Sequence, residues 1–213
     1  RSARSGLMSV ISTLRRRMNG EYEIDPWGLD PELYGFFMEL GRIRWKIDLE
    51  GAEHIPESGP ALLVVQRHIG VSEQAIVSTA IAANTPLRLR YAGVPGVGFA
   101  EAPLRKLGAA LGHAEEISGL LRDGHLVSVS LAPAFLEERP GAVEAKFVSP
   151  ALPIGAPVIP VATHGWEWGR RWRVMIGEPL PVPAQRGHLG AVELAEGARE
   201  SVHQMHLAHR GER

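Results

Sequence analysis

The residues of this chain best suited to chemistry are His68 and Glu73, in the run Val65-Gln66-Arg67-His68-Ile69-Gly70-Val71-Ser72-Glu73. The spacing is H-x4-E. A carboxylate that accepts the proton of one imidazole nitrogen fixes the tautomer and raises the basicity of the other, which can then deprotonate a hydroxyl. The same residues have a structural reading: Ser72 caps a helix, Glu73 sits favourably in its first turn, and His68 satisfies loop hydrogen bonds. On spacing alone the structural reading stands ahead.

Positioning such a pair requires a strand before it and a helix after it. Ala61-Leu62-Leu63-Val64-Val65 is an uninterrupted apolar run, as in a strand buried on both faces, and a helix is predicted over 72–83. In α/β folds, loops leaving such strands converge on an open crevice. Upstream, Asp30-Pro31 opens a helix whose Leu33, Phe36, Phe37 and Leu40 make an apolar stripe, and stripes of this kind ordinarily face a core. Residues 44–50 alternate as a strand that Gly51 ends. The pattern continues with strand 87–91, helices 101–107 and 115–122, strands 125–131, 157–163 and 171–177, and a polar helix from about 189 to 208. This order predicts an α/β fold with a mixed central sheet flanked by helices.

The composition excludes several classes. At 213 residues, 45% hydrophobic and 22% charged, the chain suits one globular domain. A net charge of -1 gives no global field for nucleic acid. The absence of cysteine removes disulfides, thiolate metal sites and a cysteine nucleophile, and fits a reducing compartment, the cytoplasm. No apolar run approaches the roughly 18 residues of a spanning helix. Residues 7–18, apolar at helical spacing and ending in Arg15-Arg16-Arg17, instead suit the surface of an anionic bilayer, with packing on the domain as the equal alternative.

Other constellations carry less. Gly93-Val94-Pro95-Gly96-Val97-Gly98 has neither the G-x-G-x-x-G spacing nor a following G-K-[ST], and reads as a flexible loop. Trp166, Trp168 and Trp172 with Arg170, Arg171 and Arg173 read as a packed hairpin, with a membrane headgroup or cofactor phosphates as the functional option. His203, His206 and His209 sweep round a helix with no confirming carboxylate cluster, so no metal is expected. No G-x-S-x-G elbow points to a serine hydrolase.

The H-x4-E segment is preceded by Gly51-Ala52-Glu53-His54-Ile55-Pro56 and Gly59-Pro60-Ala61-Leu62-Leu63-Val64-Val65, and followed by Leu120-Leu121-Arg122-Asp123-Gly124 and Gly155-Ala156-Pro157-Val158-Ile159-Pro160-Val161-Ala162. With Trp27-Gly28-Leu29-Asp30 as lead-in, the order over roughly residues 26–182 resembles the glycerolphosphate and lysophospholipid acyltransferase family, whose motif is H-x4-D. The resemblance implies a single acyltransferase domain over 21–185, an amphipathic segment over 1–20 and a C-terminal helix of the same domain over 186–213. It implies His68 as general base and Glu73 as its orienter. The donor would be acyl-CoA or an acyl carrier protein, the acceptor a lipid hydroxyl. No cofactor is implied, and the place of action would be the inner face of the cell membrane.

Two departures stand out. The family's Phe-Pro-Glu-Gly segment aligns with Ser130-Leu131-Ala132-Pro133, and its phosphate-binding arginine falls near Ala114. Arg67, Arg105, Lys106, His113 and Lys146 are therefore the candidates to meet an anionic substrate group. Two readings follow: an acyltransferase with another acceptor, or a non-catalytic relative that binds lipid or serves a lipid-processing complex.

Overall fold

The computed structural model describes residues 22–66, 72–94, 101–132 and 140–211. Seven strands form one sheet: β1 (Lys46–Glu50), β2 (Ala61–Val65), β3 (Leu89–Val94), β4 (Ala109–Leu111), β5 (Leu126–Ser130), β6 (Val158–Gly165) and β7 (Arg171–Ile176). Their spatial order is β1-β7-β6-β2-β5-β3-β4, parallel throughout except for the antiparallel β6–β7 hairpin. The mixed α/β class anticipated from the sequence is the one observed.

The helices are α1 (Pro31–Arg44), α2 (Glu73–Asn84), α3 (Glu101–Lys106), α4 (Ala114–Arg122), α5 (Ala145–Val148), α6 (Ala151–Ile154) and α7 (Gly187–Gly211). The central strand β2 is buried at every position, and its side chains divide between two cores. Leu62 and Val64 pack among residues of α4 and α7, while Leu63 and Val65 pack with Ile76, Val77 and Ile81 of α2. The continuous apolar run thus covers both faces of a middle strand.

Asp30 caps α1 by accepting from the Leu33 amide at 2.9 Å, with Pro31 in the first turn, where its missing N–H costs nothing. The apolar stripe of α1 does not face the core. Phe36, Phe37, Leu40 and Ile43 are 38%, 42%, 43% and 71% exposed, whereas Tyr34 and Gly41 are buried. The reason is at the crossing with α2: a Cβ on Gly41 would overlap the Thr79 side chain, so α1 rests on its smallest residue and its bulky side chains stand beside the contact. The strand β4 and the short helices α5 and α6, the latter flanked or interrupted by Pro150 and Pro153, lie outside the elements anticipated from the sequence, being too short to show a period.

Candidate active site

The site assembles where β2 and β5 end and α2 begins. Glu73 occupies the first turn of α2 and is only 3% exposed. The carboxylate therefore sits where the helix dipole favours negative charge. Ser72 precedes it but is not its cap: its backbone is already helical, and its hydroxyl donates instead to Glu167 Oε1 at 2.7 Å, tying the start of α2 to the β6–β7 turn. This corrects the capping role read from the sequence. His68 and Arg67 lie outside the described residues, between Gln66 and Ser72, as does the N-terminal segment 1–20.

Gln74, next to Glu73, reaches across to β5. Its amide nitrogen donates to Ser130 Oγ at 2.7 Å, and its carbonyl accepts from Ser128 Oγ at 2.8 Å. Ser128 and Ser130 stand opposite Leu63 and Val65, so they share the α2 face of the sheet. Ser130 is the last residue of β5. A small hydroxyl and a glutamine thus meet at the end of β5, a contact legible only once β5 and α2 are seen to touch.

Beside this polar end lies a cavity of about 680 Å³ between α1, α2, α3 and β3. Its wall includes Phe37, Met38, Leu40, Ala75, Tyr91 and Leu104, while Glu73, Gln74 and Ser130 mark its polar end. Such a volume and apolar lining, with a few converging polar groups, is the usual form of a small-molecule site. Burial, and secondarily Tyr34, pushes the Tyr91 phenol up to about 12, so its hydroxyl remains a neutral hydrogen-bond donor.

Arg44, which the sequence did not single out, also lines the cavity. It donates to the carbonyls of Gly169 and Trp168, both at 3.0 Å, while Arg170 donates to the Ile43 carbonyl at 3.0 Å. These bonds lock the end of α1 to the β6–β7 turn.

The remaining candidates are placed as follows. Arg105 donates to Glu116 at 2.6 Å and to Glu101 at 3.3 Å, and the Glu116 bond, reinforced by the charge of both carboxylates, holds its guanidinium more firmly protonated. Lys106 lies over the Tyr22 ring and donates to its hydroxyl at 3.2 Å. Thus Leu104 and Leu107 around these cations line the cavity, while the cations themselves bond to other groups. His113 is exposed at the N-terminus of α4 and makes no side-chain cap bond. Lys146 pairs with Glu144 at 2.7 Å and lies 4.8 Å from the Phe147 ring centre. Phe147 in turn abuts Gly112, just past the end of β4, so Lys146 lies by the β3–β4 edge of the sheet.

No family model matches the chain. Uncharacterized proteins of Mycobacterium bovis and Mycobacterium tuberculosis are 31% identical over 187 aligned residues, covering 75% of this chain and 50% of theirs. One of Mycobacterium leprae is 30% identical over 136 residues, covering 57% and 36%. The chain spans about half the length of the curated relatives it matches. Among solved structures it is similar to the 1-acyl-sn-glycerophosphate acyltransferase PlsC of Thermotoga maritima, with a TM-score of 0.55 over 81% of this chain and 79% of that one, at 16% identity. The two share a fold. In the described residues no helix is long and apolar enough to cross a membrane.

Proposed function

We propose that this chain transfers a fatty acyl group from a thioester, acyl-CoA or acyl carrier protein, to the hydroxyl of a lipid or glycerol-phosphate-like acceptor. The observation that carries the reading is the apolar cavity whose polar end is the buried Glu73, five positions after His68 in the chain. An acyl chain suits the apolar wall, and the reacting carbonyl suits the polar end. In this mechanism His68 takes the acceptor's proton as its oxygen attacks the thioester carbon. The tetrahedral adduct collapses, the C–S bond breaks, and the thiolate recovers the proton from the imidazolium. Glu73 orients the ring and offsets its transient charge.

The proposed setting is a membrane surface. The exposed face of α1 and the 79% exposed Trp168 locked beside it support that setting, since interfacial helices and tryptophans bury apolar surface at the headgroup boundary. Arg67, Lys106, His113 and Lys146 remain the candidates for an acceptor's anionic group; Arg105 already serves Glu116.

The test is thiol release from acyl thioesters with mixed lipid acceptors. The expected result is acceptor-dependent release that His68→Ala lowers by about 10²- to 10⁴-fold, the range of a lost general base, with a smaller loss for Glu73→Gln. Lipid binding without release above the His68→Ala background would favour the non-catalytic reading, to which the lost Phe-Pro-Glu-Gly segment points.

A further inference from the structure

The opposite face of the sheet, at the end of β6, carries a second feature. The rings of His164 on β6 and His206 on α7 stack at 4.7 Å between centroids, and His209 lies 4.2 Å from His164. Sequence spacing alone made the α7 histidines diverge; His164, from another element, joins two of them. A cleft of about 470 Å³ opens beside the rings, and Arg171 and Arg210 complete its wall together with Gly165 and Trp166. Among the described residues, those lining it include no carboxylate.

The charges around the cleft are distributed unequally. On β7, Arg173 is bound by Glu50 of β1, with Nε at 2.7 Å from the carboxylate, and lies 3.9 Å from Asp48. Its Nη1 donates to His209 Nδ1 at 2.9 Å, so that nitrogen is unprotonated and the ring proton belongs to Nε2. His209 Nε2 is buried and has no hydrogen-bond partner among the described residues. Glu167 in the turn is engaged by Ser72, and on α7 His203 stands one turn before His206. Arg171 and Arg210 are exposed and make no ion pair among the described residues.

From this arrangement we infer that the β6–α7 cleft is an anion site for a phosphate-class dianion, bound by Arg171 and Arg210 and by the edges of the histidine cluster. Arginine forks match the oxygens of such a group in geometry and charge. The site stands on its own geometry and does not require acyl transfer. Its chemistry suits two sources, the phosphates of a soluble thioester carrier or the headgroup of an anionic lipid.

The experiment uses sulfate as the probe and follows the histidine ring resonances by NMR at constant pH and ionic strength. The expected result is saturable shifts of His164, His206 and His209 as sulfate is added. The double variant Arg171→Ala/Arg210→Ala, changed only at exposed side chains, is expected to lose at least about tenfold in affinity with an unaltered circular dichroism melt. Competition by free coenzyme A assigns the soluble source. Competition by vesicles containing phosphatidic acid, but not by vesicles of phosphatidylcholine alone, assigns the lipid source. Absence of saturable shifts, or shifts the double variant retains, overturns the inference. So does sulfate binding with which neither competitor interferes, which is an adventitious ion only. Because no readout involves thiol release, failure here is distinguishable from failure of the proposed reaction.

Discussion

The molecule holds arginines in two contrasting ways. On β3, Arg90 is 2% exposed and is paired with Asp25, whose other oxygen accepts from the amides of Trp27 and Leu29, each at 2.9 Å. Burial pushes the guanidinium down from its ordinary value, and the Asp25 carboxylate opposes that shift. At the β6–α7 cleft, Arg171 and Arg210 stand in solvent beside imidazoles, with no carboxylate lining the cleft among the described residues. A buried cation with its carboxylate is part of the scaffold, because neither can be removed without stranding the other; an exposed cation gathered with others is available to a ligand.

The sharpest way to break this contrast is Asp25→Ala. It leaves Arg90 buried without its partner, and a loss of about 3–5 kcal/mol in denaturant unfolding is expected. A loss under about 1 kcal/mol would mean that Arg90 reaches solvent and is not scaffold. Next in size is Gly41→Ala, which forces a Cβ into the Thr79 side chain at the α1–α2 crossing; overpacking of this kind costs about 1–3 kcal/mol, measured as a fall in Tm. An unchanged Tm would show that α1 shifts freely over the cavity.

Glu116→Ala strips Arg105 of its 2.6 Å bond and the Leu111 amide of its 2.8 Å bond, for an expected cost of about 1–3 kcal/mol by the same measurement. Arg171→Ala/Arg210→Ala should stay within about 0.5 kcal/mol of the parent, as surface changes do. A larger cost would move these residues to the scaffold side of the comparison.

A last prediction concerns acid stability. Burial, and then the Arg90 charge, lower the pKa of His125 below its unfolded value. A histidine so depressed favours its neutral form in the fold, so its contribution is present above the unfolded pKa of about 6.5 and is lost as pH falls through that value toward the folded one. His125→Gln is expected to flatten the acid-side decline of Tm slightly, and an identical pH profile would remove the assignment.

Much of the fold was legible because its periods are long enough to read. The apolar run Ala61–Val65 was placed at the centre of a sheet, and it is; the helix expected over 72–83 is Glu73–Asn84. The Leu120–Gly124 step ends α4 at Arg122 with Gly124 at φ 79°. The hairpin read from the tryptophan and arginine cluster is present, yet only Trp172 is packed, against Gly165, while Trp166 and Trp168 are 70% and 79% exposed. β3 runs to Val94, so the glycine-rich loop begins later than it was read.

What the sequence by itself determined is local: the runs that become strands and helices, the α/β order, and the carboxylate that opens α2. These follow from side-chain periodicity and turn chemistry, which act over a few residues. Only the tertiary structure decided which stripe meets which. It turned the bulky face of α1 outward because Gly41 makes the closer contact with Thr79. It joined Gln74 to Ser128 and Ser130 across 54 and 56 positions. It also set His164 against two histidines some forty residues away. Contacts at such separations depend on how the elements pack, and no short-range pattern encodes that.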